Sequence, residues 1–415
     1  MWEIHKFGSV RDIKQSRKVV KMSTRLNVLE IGLDNFAGHD VQRENLHKQR
    51  RIKCSEHLGS YSLILYSKNI KERFCIEKES DNLTVYRVRG NRVLSFFKIY
   101  SLASRIIKLK KIDMISSMDP FGCGFIAYLL RLRFKIPINI QLAFDYFNDY
   151  FWEYSSRINR IFYTFLAKIV LRRCDSIRIM SILQKERLTK LGIRVRPLEI
   201  IPTPVDIDCI KTDKLDLTIP NKYLKTSKTK LLLYVGRLER GKDLPTLLKA
   251  FAVAKKNYKN VRLLIVGMGS EERRLRQFVS DLGISEDVLF LGTVSESLKF
   301  SYYSTCDIFV ITSKCEGRPT VLSEAALCRK PIVATRFSGT QDLIIDGQTG
   351  FVVDIQDYKA FADRLLTLLN NPRMIDEFGE KSYEYVNSKL KDINDIKVLA
   401  KFWEETVEKA NNQKN

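Results

Sequence analysis

The sequence is poor in the residue types that many active sites and metal centres need. All four histidines lie within the first 57 residues, so chemistry in the rest of the chain must proceed without imidazole. The eight cysteines are scattered and form no C-x-x-C pair, which argues against a zinc site and a disulfide framework. In a chain of 415 residues they indicate buried thiols in a reducing cytosol.

Long apolar runs are also missing. No stretch of about 18 uncharged apolar residues occurs, so we expect no membrane-spanning helix. The first residues lack the continuous apolar core of a secretory signal. The composition, 45% hydrophobic and 29% charged, is that of an ordinary globular protein, and the length suggests two domains.

Acidic residues are scarce in the N-terminal half. Residues 1–200 contain 38 Lys and Arg against 19 Asp and Glu, whereas residues 201–415 contain 33 against 29. We therefore expect the first half to face an anionic partner. The segments Arg92–Lys111 and Arg157–Arg173 combine apolar stripes with cations and contain no acid, as interfacial helices do. They predict contact with an anionic membrane surface, unless the stripes belong to the core and the cations are merely solvated.

Apolar runs of strand length alternate with amphipathic segments of helix length along the chain. Two sets of runs predict an α/β fold with two doubly wound parallel sheets. The predicted strands are 26–33, 61–66, 83–88, 114–117, 136–142 and 176–180, then 230–235, 262–266, 288–291, 308–311, 332–334 and 350–353. The predicted division is an N-terminal domain (1–205), a polar linker (206–229), a C-terminal domain (230–395), and a last helix and tail (396–415) free to cross back to the N-terminal domain.

Glycines and cations follow two of the C-terminal strands. Gly236 and Arg237 come directly after a strand, with Lys242 at the head of the next helix. A guanidinium and an ammonium there can hold a diphosphate without a metal, and two solvated cations are an equal alternative. Gly267 and Gly269 after the next strand form a dinucleotide-type turn. The third glycine of that motif is missing, which favours an ordinary tight strand–helix turn.

The strongest pattern lies in residues 311–353. A Glu-Gly-Arg-Pro turn begins at Glu316, and Glu324 follows eight residues later. If the residues between them are helical, the two backbones are about 12 Å apart. Because a retaining glycosidase holds its carboxyls about 5 Å apart, we expect these two to grip different parts of one long ligand, a sugar and a ribose. Backbone amides at 317–321 are placed for an anionic leaving group. The alternative is two surface carboxylates on an ordinary helix.

These motifs together resemble those of the family 4 glycosyltransferases, retaining enzymes of the GT-B fold, in which two Rossmann-like domains face a central cleft. The resemblance rests on Gly236-Arg237-Leu238 with Lys242, on the E-x7-E pair in EGRPTVLSEA, and on the glycine turns near 339, 347 and 350. It implies a nucleotide-diphosphate sugar as donor, a glycan or lipid-linked acceptor, and no metal or other cofactor.

The resemblance also implies roles for individual residues. Arg237 and Lys242 would hold the donor diphosphate, Glu316 would contact the donor sugar, and Glu324 would bind the ribose hydroxyls. The candidate donor-binding positions are Gly236, Gly267, Gly292, Thr293, Gly317, Arg318, Pro319, Thr320, Val321 and Glu324.

The N-terminal half resembles the family more loosely. Its first loop, 32–39, is glycine-poor, and the stretch 140–146, where many members place a histidine, has none. Asp145 is the carboxylate of that stretch and the candidate for an acceptor or donor-sugar contact, with a helix cap or loop carboxylate as an equal alternative. His39 and Gly38 are further acceptor-side candidates.

The sequence therefore predicts a metal-independent, retaining hexosyltransferase that uses a UDP-sugar or GDP-sugar in cell-surface polysaccharide or glycolipid synthesis. We expect it in the cytoplasm, peripheral on the inner face of the membrane. A sugar-nucleotide epimerase of the same fold is a disfavoured alternative, because its acid/base chemistry often uses histidine. A basic nucleic-acid-binding protein is also disfavoured, because no helix-turn-helix, zinc-finger or RNA-binding signature is present, and we expect no nucleic-acid partner.

Overall fold

The computed structural model describes residues 25–34, 41–67, 72–90, 92–195, 197–205, 220–223, 228–391 and 396–413. The acceptor-side candidates Gly38 and His39 and most of the predicted linker lie outside these residues.

Strands and helices alternate through the N-terminal half. The elements are β1 (Asn27–Asp34), α1 (Val41–Ser55), β2 (Ser60–Ser67), β3 (Phe74–Lys78), β4 (Leu83–Val88), α2 (Arg92–Leu109), β5 (Met114–Ser117), α3 (Gly122–Phe134), β6 (Ile138–Leu142), α4 (Arg157–Arg173), β7 (Ser176–Ile179), α5 (Ile182–Lys190) and β8 (Leu198–Ile200).

The C-terminal half repeats the alternation. Its elements are β9 (Lys230–Val235), α6 (Leu244–Asn257), β10 (Val261–Val266), α7 (Glu272–Asp281), β11 (Val288–Gly292), α8 (Glu296–Thr305), β12 (Ile308–Ile311), α9 (Thr320–Leu327), β13 (Ile332–Thr335), α10 (Thr340–Leu343), β14 (Gly350–Val353), α11 (Tyr358–Leu369), α12 (Pro372–Leu390) and α13 (Lys397–Asn412).

The strands form two separate sheets. The first has the order β3-β4-β2-β1-β5-β6-β7-β8, and the second has the order β11-β10-β9-β12-β13-β14. Strand β3 runs antiparallel to β4, and the other described pairs are parallel. Central strands such as β5, β6, β12 and β13 are buried along their whole length, as expected where helices cover both faces. The predicted α/β class with two parallel-sheet domains is confirmed.

The sequence analysis did not predict strands β3 and β8. The alternation in β3 leaves every second residue exposed, because β3 lies at the sheet edge, and so it lacks the apolar run that marks the buried strands. Strand β8, at the other edge, has only three residues. Both are too short or too polar to stand out from loop sequence.

Helix α13 lies against the first sheet, although it follows the second domain in the chain. Its Trp403 side chain is completely buried and donates from Nε1 to Oδ1 of Asn139 on β6, 3.2 Å away. Leu399, Ala400 and Phe402 extend the same apolar cluster beneath β1 and β2. The C-terminal segment therefore ties the end of the chain to its N-terminal domain.

The loops that follow the strands of the two sheets meet each other. Ser181 after β7 and Ser338 after β13 share a hydrogen bond of 2.6 Å between their hydroxyls. Asp342 accepts from the backbone N–H of Ile182 at 3.2 Å. Because ligands of doubly wound sheets bind beyond the carboxyl ends of the strands, this junction is where a site is expected.

Candidate active site

Lys242 and Glu316 meet at the carboxyl ends of two neighbouring strands. Lys242 ends a short 3-10 turn after β9, and Glu316 lies in the loop after β12. The Lys242 ammonium forms an ion pair with Oε1 of Glu316, and the Ser313 hydroxyl donates to the same oxygen at 2.9 Å. The two side chains are 17% and 7% exposed, so water screens the pair only weakly. Helix α6 begins at Leu244, two residues later than the sequence predicted.

Glu324 has its own set of partners on helix α8. Its Oε2 accepts from the Tyr303 hydroxyl at 3.0 Å and lies 3.1 Å from the Lys299 ammonium. Burial alone would lower the pKa of Lys299, but the charges of Glu324 and Glu296 outweigh it and raise that pKa. Since α9 begins at Thr320, only the second half of the interval from Glu316 to Glu324 is helical. The two glutamates are thus held by different side chains.

Glycines directly after β9 and β10 and at the end of β11 bring three chain segments into backbone contact. Gly267 has a φ of 131° and donates its N–H to the carbonyl of Gly292 at 2.8 Å. A Cβ at position 267 would overlap the carbonyl oxygen of Gly236, so only glycine fits there. Thr293 contacts the sulfur of Met268 at 3.7 Å, and the Arg237 side chain is exposed on the same edge. The three loops therefore pair through their backbones next to the Lys242 loop.

The Glu-Gly-Arg-Pro turn lies directly against the N-terminal domain. A Cβ at Gly317 would overlap the carbonyl oxygen of Ala143, which follows β6. Burial lowers the pKa of Arg318, and the charge of Asp342 partly offsets that effect. Pro319 occupies the N-cap position of α9, and the first helical residues, Thr320 and Val321, are half-buried. Gly317 thus allows the backbones of the two domains to come into contact beside Glu316.

Asp145 lies at the same junction but is fully engaged. Its carboxylate is 1% exposed and forms an ion pair with Arg187 of α5. Burial raises the pKa of Asp145, and the Arg187 charge beside it opposes the increase only in part. The Asp145 carbonyl oxygen is 3.6 Å from the sulfur of Cys315, the residue before Glu316.

Lys314 and Glu153 form an ion pair between the domains that the sequence did not reveal. The Lys314 ammonium is 2.9 Å from both Glu153 oxygens, and the Asn148 side chain donates to the Lys314 carbonyl at 3.3 Å. Burial alone would lower the pKa of Lys314, but Glu153 and Asp243 outweigh it and raise that pKa. Lys314 precedes Glu316 by two residues, so this pair anchors the Glu316 loop to the N-terminal domain.

The sequence contained a detectable pattern for the partners of Glu324 but not for the partner of Lys314. Lys299 and Tyr303 are four residues apart on α8 and therefore share one helix face, which a helical plot would have shown. The Lys314 partner is 161 residues away in sequence, with no local pattern to indicate it.

A cavity of about 280 Å³ lies next to the Lys242 loop. Residues from both domains contribute to its lining, among them Tyr154, Arg240, Asp243, Lys249 and Lys314. None of the predicted site residues lines it, so it is distinct from the Lys242–Glu316 contact.

Two family models match the chain, one to each half. The model described as Glycosyl transferases group 1 matches residues 216–385, and the model described as Glycosyltransferase Family 4 matches residues 68–209. The chain belongs to glycosyltransferase family 4. The resemblance inferred from the motifs is thereby confirmed.

Relatives of this glycosyltransferase extend over most of its length. An uncharacterised glycosyltransferase of Methanocaldococcus jannaschii is 22% identical over 392 residues, which are 91% of this chain and 95% of that protein. Campylobacter jejuni has a relative that is 28% identical over 68% of this chain and 72% of its own length. That relative is named as the alpha-1,4-N-acetyl-D-galactosaminyltransferase of GalNAc-alpha-(1->4)-GalNAc-alpha-(1->3)-diNAcBac-PP-undecaprenol.

Solved structures confirm the GT-B fold of this glycosyltransferase. Anabaena HepE, crystallised with UDP and glucose, superposes with a TM-score of 0.70 at 17% identity, covering 93% of this chain and all of that one. In the described part of this chain, no group of three His, Cys, Asp or Glu side chains is arranged to hold a metal ion. No helix among the described residues has the length and apolar character to cross a membrane.

Proposed function

We propose that this glycosyltransferase transfers a hexose from a nucleotide-diphosphate donor to a glycan or lipid-linked acceptor in cell-surface polysaccharide or glycolipid synthesis. The observation that carries the proposal is the ion pair of Lys242 with Glu316, held by Ser313 beside the interdomain junction. HepE was crystallised with UDP and glucose, and the C. jejuni relative is named for an undecaprenol-linked substrate, which supports both substrate classes.

The donor is bound along the edge of the second sheet. Arg237 and Lys242 hold the diphosphate. The diphosphate replaces Glu316 as the ion-pair partner of the Lys242 ammonium. The Glu316 carboxylate can then accept hydrogen bonds from the sugar hydroxyls. Because Tyr303 and Lys299 both contact Oε2 of Glu324, its Oε1 is the oxygen offered to the ribose. The remaining donor contacts are Gly236, Gly267, Gly292, Thr293, Gly317, Arg318, Pro319, Thr320 and Val321.

Transfer retains the configuration at the anomeric carbon. The bond from that carbon to the departing phosphate oxygen breaks, and the acceptor oxygen forms its bond on the same face. The leaving phosphate takes the acceptor proton, so the products are a nucleoside diphosphate and a glycoside. Backbone N–H groups within 317–321, other than that of Pro319, which has none, stabilise the phosphate charge, and the two cations make a metal or other cofactor unnecessary. Asp145 is the proposed acceptor or donor-sugar contact, and its carbonyl oxygen lies against Cys315, the residue before Glu316.

The reaction takes place on the cytoplasmic side, at the inner face of the membrane. The support is the excess of Lys and Arg in residues 1–200, which favours an anionic surface, together with the lipid-linked substrate of the C. jejuni relative. Nucleic acid is not a partner in this proposal.

A thermal-shift screen of UDP, GDP and their sugars tests the donor assignment, because a ligand that binds only the native state raises its melting temperature. We expect either UDP and its sugars or GDP and its sugars to raise the melting temperature. The nucleotide sugar should raise it further than the nucleotide alone, and the Glu316→Gln variant should lose this additional increase. Incubating the enzyme with that donor alone separates an epimerase, which would change the sugar, from a transferase. Activity that survives EDTA is expected, and its loss would contradict the metal-free step.

A further inference from the structure

Three consecutive helices cover one face of the first sheet without a single acidic residue. Helix α3 lies between α2 and α4 and packs against both. The helices α2, α3 and α4 contain four, two and five Lys or Arg residues, respectively, and no Asp or Glu. Arg160 of α4 pairs with Asp149, and Arg131 of α3 pairs with Asp175, both outside the three helices. The other cations leave this three-helix face with a net positive charge.

Helix α4 has two apolar stripes, and only one belongs to the core. Ala167, Val170 and Leu171 are completely buried against the sheet. The other stripe, defined here as the α4 stripe, is 57% to 79% exposed and consists of Ile158, Ile161, Phe162 and Phe165. Its spacing of three, four and seven residues places these side chains together on the solvent side of the helix. The core alternative for this stripe is therefore excluded.

Helix α2 continues the same surface. Leu94, Phe97 and Leu109 are exposed on its outer side, and the cations Lys98 and Arg105 are exposed among them. Monomeric proteins rarely leave such clusters of large apolar side chains in water unless something covers them. Apolar side chains interleaved with cations match the boundary between lipid tails and anionic headgroups.

We infer that the three-helix face is a docking surface for an anionic lipid bilayer. The α4 stripe inserts among the acyl chains, and the flanking cations bind the headgroups. A second copy of the chain is a poor occupant, because apposing two such faces would bring like charges together. Nucleic acid would match the cations but would leave the Ile and Phe stripe in water. The inference rests on the proposed function and deepens it by assigning the membrane-facing surface.

The position of this face explains how an acceptor anchored in lipid would reach the cleft. Tyr163 of α4 packs against Phe121 and Trp152, with ring centroids 5.5 and 6.1 Å apart. The next residue, Glu153, forms the ion pair with Lys314 beside the Glu316 loop. The N-terminal end of the inserted helix is thus rigidly connected to the interdomain junction.

Vesicle flotation tests the surface without any knowledge of donor or acceptor. We expect the wild type to float with phosphatidylcholine vesicles that contain phosphatidylglycerol, and far less with phosphatidylcholine alone. The variant Ile158→Asn/Ile161→Asn/Phe165→Asn should reduce partitioning at least about tenfold, since each side chain is a sizeable part of the inserted apolar area. The variant Lys98→Gln/Arg105→Gln/Lys108→Gln should lose most of the preference for the anionic vesicles.

A matched control is Phe74→Asn/Ile76→Asn, which removes two comparably exposed apolar side chains from edge strand β3. We expect this control to float like the wild type. All variants should retain the wild-type melting temperature and nucleotide shift, which shows that their folds are intact.

Equal flotation of the wild type and the α4 stripe variant would overturn the inference, as would a wild type that does not float. Two other results would also overturn it. One is a wild-type dimer, seen by light scattering, that the α4 stripe variant dissociates. The other is binding of a nucleic-acid duplex that the α4 stripe variant abolishes. If nucleotide raises the melting temperature of the wild type but the protein does not float, only the docking surface is contradicted. If the wild type floats but nucleotide does not raise its melting temperature, only the donor assignment is contradicted.

Discussion

At Glu316, one carboxylate oxygen receives two hydrogen-bond donors while the side chain stays almost fully buried. Oε1 contacts both Lys242 and Ser313, which fixes the orientation of the carboxylate relative to the strand ends. A buried acid is tolerated only when its charge is compensated, and here the compensating cation is also the group proposed to receive phosphate. In the proposed mechanism, donor binding therefore replaces the Glu316 carboxylate by phosphate at Lys242, and Glu316 becomes available to the sugar.

The variant Glu316→Gln should separate charge from shape. The amide keeps the volume and still accepts from Ser313, so we expect the fold to persist while transfer slows about 100-fold or more, the scale of losing one preorganised electrostatic contact. Lys242→Ala should slow transfer similarly and also lower the melting temperature, because it leaves a buried carboxylate without its cation. Initial rates and circular dichroism measure the two effects. Lys256→Ala, an exposed cation at the far end of α6, is the control. Wild-type rates in Glu316→Gln would refute its role.

Gly317 sets how closely the domains can approach. The Cβ of an alanine at this position would overlap the carbonyl oxygen of Ala143. Because that oxygen belongs to the backbone, relieving the overlap requires a backbone shift, which costs more free energy than moving a flexible side chain. We expect Gly317→Ala to open the junction, to raise the radius of gyration in X-ray scattering, and to slow transfer at least about tenfold, since small misplacements of reacting groups are costly. Gly241→Ala is the matched control, because a Cβ at position 241 meets no atom within 4 Å. An unchanged rate in Gly317→Ala would show that close approach is not needed.

At the scale of elements, buried strands were predictable and edge strands were not. Five strands have the predicted bounds to the residue, among them Lys230–Val235 and Ile308–Ile311, because their apolar runs end sharply at turn residues. Strand β3 carries alternating exposed and half-buried side chains, and its charged residues resemble a loop. A run of three residues such as β8 contains too little pattern for any periodicity to show.

Helix α13 stabilises a domain that is distant from it in sequence. Trp403 fills space beneath β1 and β2, and its indole N–H satisfies Asn139. We expect Trp403→Ala to destabilise the N-terminal domain by about 3–5 kcal/mol, through lost burial and the cavity that remains. Urea unfolding followed by far-UV circular dichroism measures the change. Lys401→Ala on the exposed side of the same helix should lie within about 0.5 kcal/mol of the wild type. Equal midpoints for the two variants would mean that α13 contributes no domain stability.

At the scale of the molecule, the sequence indicated both halves of the site but not what joins them. The motifs around Lys242 and Glu316 are local and were recognisable. The contacts of Lys314 with Glu153 and of Gly317 with Ala143 connect segments more than 150 residues apart. Such pairings depend on how two sheets are oriented, which no local pattern encodes.

The Lys314–Glu153 pair should couple the two domains energetically as well as geometrically. Lys314 is 6% exposed and Glu153 is 33% exposed, so each variant, Lys314→Gln or Glu153→Gln, should loosen the junction and slow transfer. Because both remove the same contact, their effects should not add: the double variant should be little slower than either single one, with a coupling energy of about 0.5–3 kcal/mol. Rates of all four proteins give this cycle, and Glu199→Gln, an exposed acid on β8, is the control. Strictly additive effects would mean that the pair does not hold the Glu316 loop against the N-terminal domain. The close approach of the two domains would then depend on the Gly317 contact alone.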